Sequence, residues 1–322
     1  MVRDCEYRSE QERCRLRSHS QLSPASAWYF TPITLIHDSF FPLMCILIFC
    51  AAIAQEKLGS GFDVSAAVYG TQMYVRFDPD PLKPYLDAAA SPRLIYEAAL
   101  SSTLWNQTVS PFTLPAGISM MMGDVCGGSS STSMARDVMA WLKDNRQQSS
   151  TIWATLAEAN KLIHEGLKEL ICISETKPEE YKSDIEKAAA LTADKWTTQQ
   201  DVSGVFATLT KIRKLFKRTR FWLKKMGDEA KVGIEPESQT ALADRTESLA
   251  GVLCAGVPGA GGNDAIFCLV LSDATRENVE RVWSQWETSM RGKTYGTAVC
   301  PLLLSADTSS QCGVLNEKPM PW

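Results

Sequence analysis

The chain has 322 residues, a length that suits two medium domains or one large one. Its 45% hydrophobic and 22% charged residues exclude a mainly disordered, collagen-like or multi-span membrane protein, and a formal net charge of -4 excludes wholesale attraction to nucleic acid or anionic membrane, leaving only a local patch open. The 10 cysteines form no CxxC pair and no dense framework, so a zinc module or a disulfide scaffold is not indicated and free thiols in a reducing compartment are expected.

Residues 1 to 39 read as polar and irregular, with Arg3, Arg8, Arg13, Arg15 and Arg17 among acids. The apolar run FFPLMCILIFCAAIA follows, from Phe40 to Ala54. It is about 15 residues long, where a membrane span needs roughly 20. Two readings stand: a buried helix leading into a loop, or a secretory or anchoring segment ending in the small-x-small triplet Ala52-Ile53-Ala54. The distance from Met1 and the internal Pro42 favour the buried helix and, with it, a cytoplasmic location.

Next comes a glycine loop, KLGSGFD, then small residues suited to close helix packing, then a β-prone Met73-Tyr74-Val75-Arg76-Phe77. PRLIYEAALSSTLW adds short structure, and Thr113 to Met122 reads as a strand. The small-residue loop GDVCGGSSSTS runs into the helix MARDVMAWLKDN, with Ser133 as its expected N-cap. From Thr151 to about Ala230 the period is helical throughout. The last of these helices puts Ile212, Leu215, Phe216, Trp222, Leu223 and Met226 on one face, surrounded by Lys211, Arg213, Lys214, Lys217, Arg218, Arg220, Lys224 and Lys225. That basic run is a solvated face, an anion-binding groove or, least in favour, a nucleic-acid contact. Beyond Glu235 the pattern turns to β: LAGVLCAG, AIFCLVL and TAVCPLLL are strands, with a helix from Ala274 to Met290 between the last two. The class is α+β.

Three loops carry chemical interest, because glycine lets the backbone approach a ligand and successive N–H groups can cradle an anion. The strongest is Gly256-Val257-Pro258-Gly259-Ala260-Gly261-Gly262-Asn263-Asp264. It has no Lys-Ser/Thr ending, and Asp264 stands where a dinucleotide fingerprint needs glycine, so it is neither a P-loop nor a Rossmann turn; a plain hairpin turn is the alternative. Lys57-Leu58-Gly59-Ser60-Gly61-Phe62-Asp63 places an ammonium and a carboxylate around a flexible backbone, which suits either stabilisation of phosphoryl charge or a structural ion pair. Gly127-Gly128-Ser129-Ser130-Ser131-Thr132-Ser133 offers hydroxyl and N–H groups at a helix start, or is a linker.

Together AQEKLGSGFDVSAAVYGTQMYVRF, LPAGISMMMGDVCGGSSSTSM, MGDEAKVGIEPESQTALAD and GVPGAGGNDAIF resemble the eukaryotic-type phosphomevalonate kinases of the GHMP kinase superfamily, over roughly Ala51 to Leu304. The resemblance implies transfer of the ATP γ-phosphoryl group to mevalonate 5-phosphate in the isoprenoid pathway, with ATP and Mg²⁺, no protein-held metal and no nucleic-acid or membrane partner. It implies Lys57 and Asp63 as the catalytic pair, with Ser60, Gly61, Ser129, Ser130, Ser131, Thr132, Ser133 and Arg220 on the substrate and its phosphate. Gly256, Pro258, Gly259, Ala260, Gly261, Gly262 and Asp264 would form the nucleotide-phosphate loop. Because the second pKa of a phosphate monoester is about 6, the acceptor oxygen is mostly ionised at neutral pH; Asp63 is then expected to orient Lys57 or the metal rather than to act as a strong base.

The implied fold is two-lobed with the site between lobes: a truncated N-terminal lobe over 49–108, and a ferredoxin-like C-terminal lobe with a helical insertion over 109–306. Residues 1–48 are expected to be a leader outside the family and 307–322 a tail, since nothing in residues 1 to 50 resembles the superfamily's PxxxGLGSSA nucleotide loop. The competing function is an inactive remnant that binds an anionic ligand or a protein.

Overall fold

In the computed structural model, which describes residues 40–54, 58–86, 91–101, 103–125, 129, 131–199, 203–290, 293–296 and 299–302, the apolar run forms helix α1 (Phe40–Ala54). Phe40, Met44, Cys45, Ile48, Phe49 and Ala52 are buried along it, each three or four residues from another of them, which keeps them on one face. No described helix is long and apolar enough to cross a membrane. The described chain divides into two compact units, one ending at Ser110 and the other starting at Pro111.

In the first unit α1 packs with α2 (Phe62–Tyr69), a 3-10 turn (Asp80–Leu86) and α3 (Pro92–Ala99). Strands β1 (Gln72–Val75) and β2 (Thr108–Pro111) pair in a two-stranded sheet; β1 coincides with the β-prone Met73-Tyr74-Val75, whereas β2 has no comparable signal. Trp105 stands edge-on to Phe49 at 5.3 Å and to Phe77 at 5.0 Å. Its indole Nε1–H donates to the Ala98 carbonyl at 3.0 Å, so the ring is buried without an unpaired donor. Each such fully buried aromatic contributes roughly 1.5–3 kcal/mol.

The second unit is built on a four-stranded antiparallel sheet made of β3 (Ser119–Val125), β4 (Val252–Gly256), β5 (Ala265–Val270) and β8 (Val299–Leu302), in the order β4-β5-β3-β8. Along β5 and the residue after it, Ile266, Cys268 and Val270 face one core while Phe267, Leu269 and Leu271 face another. This is the period of two expected of a strand buried on both sides. The first core also holds side chains from α8 (Glu237–Glu247) and α9 (Asp273–Ser284). The second holds side chains from α5 (Arg146–Thr176), α6 (Pro178–Ala189), a 3-10 turn (Ala193–Thr198) and α7 (Val205–Ala230). Leu253 and Cys254 are consecutive yet share a core, because the pairing of β4 with β5 shifts register between Val252 and Cys254, as a bulge requires.

Several expectations are corrected. The strand read over Thr113 to Met122 is β3, starting only at Ser119 and running to Val125. Pro115 has no N–H to give a ladder, and a turn closes there, with Ile118 N–H donating to its carbonyl and Gly117 at φ 77°. Gly123 to Val125 are therefore strand, not loop. Helix α4 (Ser131–Asp144) begins two residues before Ser133, which lies in its first turn and is not its N-cap. The helical block from Thr151 onward is broken at Lys177, before Pro178, and again around the 3-10 turn. Glu237–Glu247 is helix where β is expected, and the helix read to Met290 stops at Ser284. Strand β6 (Glu287–Met290) then pairs antiparallel with β7 (Lys293–Gly296).

Candidate functional site

In the first unit the loop ends two residues earlier than its sequence suggests: Gly61 is the N-cap and Phe62 opens α2, which puts Asp63 in the helix's first turn with an exposed side chain. Gly61 is left-handed, φ 73° and ψ 7°, a region costly to other residues. A Cβ there would also lie 2.7 Å from Ile48 Cδ1 and 3.3 Å from Phe77 Cε1. The core face of α1 therefore supports this loop directly. Two side chains from β1 and the residue after it fix the carbonyls: Tyr74 donates to Ser60 O at 2.9 Å and Arg76 Nη2 to Gly59 O at 3.1 Å. Burial pushes the Tyr74 phenol up to about 12, against the pull of Arg76, so it remains a donor across the neutral range. Sequence reasoning singles out neither residue; the available signal is their place on the β-prone segment after the loop. Lys57 lies outside the described residues, and with it the geometry of its pairing with Asp63.

In the second unit the Gly256–Asp264 segment joins two antiparallel strands, as a hairpin does, but it is not a bare turn. Gly261 and Gly262 have φ 79° and 100°. A Cβ on Gly261 would collide with the Ile234 carbonyl group, and one on Gly262 with the Ser129 side chain, 2.6 Å from its Cβ. Hydrogen bonds hold the same approach: Gly262 N–H donates to Ile234 O at 2.8 Å, Asn263 N–H to Ser129 Oγ at 2.9 Å, and Val125 N–H to Asp264 O at 2.9 Å. Pro258 O accepts from Gly261 N–H at 3.1 Å, while Gly259 and Ala260 at the tip are exposed. One carboxylate oxygen of Asp264, Oδ1, is buried without a hydrogen-bond partner among the described residues. Ser129 and the glycine loop, separate candidates in the sequence, are thus brought together. Ser130 lies outside the described residues. Ser131 and Thr132 are known only as the first residues of α4.

Arg220 is placed differently from a solvent-facing anion ligand. Its Nε and Nη2 donate to the two oxygens of Glu235, at 3.2 and 2.6 Å, and Nη1 donates to Asp244 Oδ1 at 2.9 Å, with Glu247 Oε1 3.4 Å away. Burial opposes the guanidinium charge, but Glu235 and Glu247 outweigh it and raise its pKa. Arg213 is likewise internal: it donates to the Val252, Leu253 and Glu247 carbonyls, covering the open edge of β4, and Glu247 Oε1 accepts from Ala255 N–H. That closes an edge that would otherwise present unpaired backbone. A cavity of about 250 Å³ borders Arg220, with Lys217, Phe221, Lys224 and Thr240 in its wall.

A scan of protein-family profiles finds no match to the chain. Sequence comparison does: the peroxisomal phosphomevalonate kinase of Arabidopsis thaliana is 37% identical over 238 residues, 72% of this chain. The phosphomevalonate kinase of Candida albicans is 30% identical over 269 residues, 83% of this chain. The chain belongs to the phosphomevalonate kinase family. It spans about half the length of these family members, 47% of the Arabidopsis protein and 55% of the Candida one. In three dimensions it is similar to the Lin0012 protein of Listeria innocua, with a TM-score of 0.50 and 15% identity over 81% of this chain and 61% of that one. That likeness concerns the fold, a mixed α and β arrangement, and the four strings resembling phosphomevalonate kinases lie on its elements: the Gly61 loop, β3 to α4, α7 to α8, and β4 to β5.

Proposed function

We propose that the chain is a phosphomevalonate kinase, transferring the γ-phosphoryl group of ATP to mevalonate 5-phosphate with release of ADP and mevalonate 5-diphosphate, and that its two units correspond to the two lobes of a GHMP kinase, residues 49–108 belonging to the first and 109–306 to the second, ferredoxin-like with a helical insertion. The observation that carries the reading is convergence: three strings that resemble the family, around Ser129, Ile234 and Gly262, meet at one loop, where Gly262 N–H donates to Ile234 O and Asn263 N–H to Ser129 Oγ. A loop in which side chains are excluded at Gly261 and Gly262 suits close approach to a phosphate chain.

Phosphoryl transfer asks of the protein mainly positioning and charge compensation. Lys57 would offset the repulsion between two phosphate anions, and Asp63, on the first turn of α2, would orient it. A base is scarcely needed, since the acceptor phosphate is already largely ionised at neutral pH. Mg²⁺ is commonly held by one or two carboxylates plus the phosphates themselves. In the second unit Asp264, whose Oδ1 is buried without a hydrogen-bond partner among the described residues, is the carboxylate that would hold the ion beside the glycine loop. Bound there, the ion would neutralise phosphate charge.

Incubation with ATP, Mg²⁺ and mevalonate 5-phosphate, followed by mass spectrometry, tests the proposal. Mevalonate 5-diphosphate formed in step with ADP supports it. No product, together with no calorimetric binding of either substrate, overturns it, and binding of mevalonate 5-phosphate without turnover would favour a binding module. For Asp63→Asn the expectation is reduced turnover that higher pH does not restore; progressive rescue by rising pH would make Asp63 the base.

A further inference from the structure

We infer that Arg220 is a positioning residue for the Gly256–Asp264 loop, bracing both of its ends, rather than a ligand of substrate phosphate; the inference rests on reading that loop as the phosphate loop. At the loop's start, the Arg220 stem lies under the backbone: Cγ and Cδ are both 3.6 Å from where a Cβ on Gly256 would stand. At the far end the connection runs through Glu235. The guanidinium grips Glu235 by a two-point fork, and Glu235 follows Ile234, whose carbonyl accepts from Gly262 N–H and leaves no room for a side chain on Gly261. The third direction is taken too, by Asp244 at 2.9 Å.

A planar fork with three carboxylates around it has little left to offer an incoming anion. The side chain of Arg220 is 12% exposed and that of Glu235 is 3% exposed. A phosphate would have to displace a short charge-assisted bond and leave a buried carboxylate unpaired, which costs more than a surface contact returns. The geometry instead makes the separation of α7 from the Ile234 segment, and so the height of Gly261 and Gly262, depend on the length and planarity of Arg220. Lysine carries the same charge but cannot make the fork.

Hydrogen–deuterium exchange on the intact chain is the test. In Arg220→Lys and in Glu235→Gln, exchange at Gly261 and Gly262 should rise about tenfold, as expected when a local brace is lost, while the β4 and β5 amides stay as in the unmodified chain. The double variant should be no worse than either single one, because both remove the same link. The ligand alternative makes the opposite forecast for Glu235→Gln: Arg220 is freed, the loop keeps its protection, and calorimetric affinity for mevalonate 5-phosphate rises. That outcome, or loop exchange unchanged in both single variants, overturns the inference. If the unmodified chain binds no ATP with Mg²⁺, the reading of the loop as a phosphate site fails, yet the exchange result still decides whether Arg220 braces it.

Discussion

Gly59 and Gly61 stand two residues apart in the same loop and look interchangeable in sequence, but only one of them has a steric reason to be glycine. Gly61 combines a left-handed backbone with a would-be Cβ 2.7 Å from Ile48 Cδ1, whereas the nearest atom to a Cβ on Gly59 is 4.0 Å away. Gly61→Ala should therefore cost about 2 kcal/mol, strain and overpacking together, and Gly59→Ala within about 0.5 kcal/mol. Urea denaturation of both variants checks this, and equal losses would contradict it. Tyr74 makes a second case at this scale. Tyr74→Phe removes the bond to Ser60 O and should cost about 1 kcal/mol. Because burial raises the folded phenol from 10.0 to about 12, its contribution is fully present below pH 10 and is lost as pH rises from there towards 12. The stability difference between the unmodified chain and the Tyr74→Phe variant should thus be flat from about pH 6 to 9 and shrink above about 10. A difference that already declines by about pH 8 would refute the assignment of Tyr74 as a half-buried neutral donor.

Helices and strands whose burial follows one clear period are legible in the sequence, and those that depend on tertiary partners are not. Helix α5 shows its apolar spacing openly, and β5 alternates between two cores. Helix α8 carries little apolar signal: of its eleven residues, ESQTALADRTE, only Leu242 and Ala243 join the hydrophobic core. Its remaining buried side chains, Gln239, Thr246 and Glu247, are polar. Thr246 is satisfied by Trp283 Nε1–H and Glu247 by Ala255 N–H, partners a window of sequence does not contain. The junction of α6 with α7 depends on the same kind of contact. Ser203 donates to Asp184 Oδ2 at 2.6 Å and accepts from Val205 N–H at 3.3 Å, while Lys187 pairs with Asp184 Oδ1 at 2.9 Å. Burial works against the Asp184 charge, but Ser203 and Lys187 outweigh it and hold the carboxyl below its ordinary 3.8. Ser203→Ala should then cost roughly 2 kcal/mol near neutrality. A carboxyl with a depressed folded pKa contributes stability above its unfolded pKa and loses it as pH falls through the folded one. The cost should accordingly be constant from about pH 5 to 8 and diminish below about 4. Thermal melts across that range measure it, and a cost that grows on acidification would remove Asp184 as the partner responsible.

For the molecule as a whole, the glycine loops can be located from sequence because glycine is demanded by backbone geometry, but what each loop is braced by cannot, since Ile234, Ser129 and Arg220 are distant along the chain. The basic run of α7 shows the same limit with a larger consequence. Its clustered lysines and arginines resemble a polyanion-binding surface until Arg213, Lys217, Arg218, Arg220, Lys224 and Lys225 are followed to their partners. Arg213 and Arg220 are committed to backbone carbonyls and carboxylates inside the second unit. Lys217 and Arg218 lie 3.9 and 3.5 Å from Glu247 and Glu158, Lys224 donates to Thr240, and Lys225 lies over the Trp222 ring. Exposed pairs such as Arg218 with Glu158 are individually weak, but they set acidic side chains among the lysines, and the chain carries -4 overall. Non-specific affinity for nucleic acid scales with the number of phosphates neutralised, and typical dissociation constants of about 10⁻⁴ to 10⁻⁶ M at physiological salt need several free cations in register. The chain should therefore bind a fluorescent single-stranded oligonucleotide no more tightly than about 10⁻⁴ M at about 0.15 M salt, and Lys214→Glu should leave that result unchanged. Fluorescence anisotropy decides: micromolar binding abolished by Lys214→Glu would mean that α7 presents a functional polyanion-binding surface despite its internal pairing.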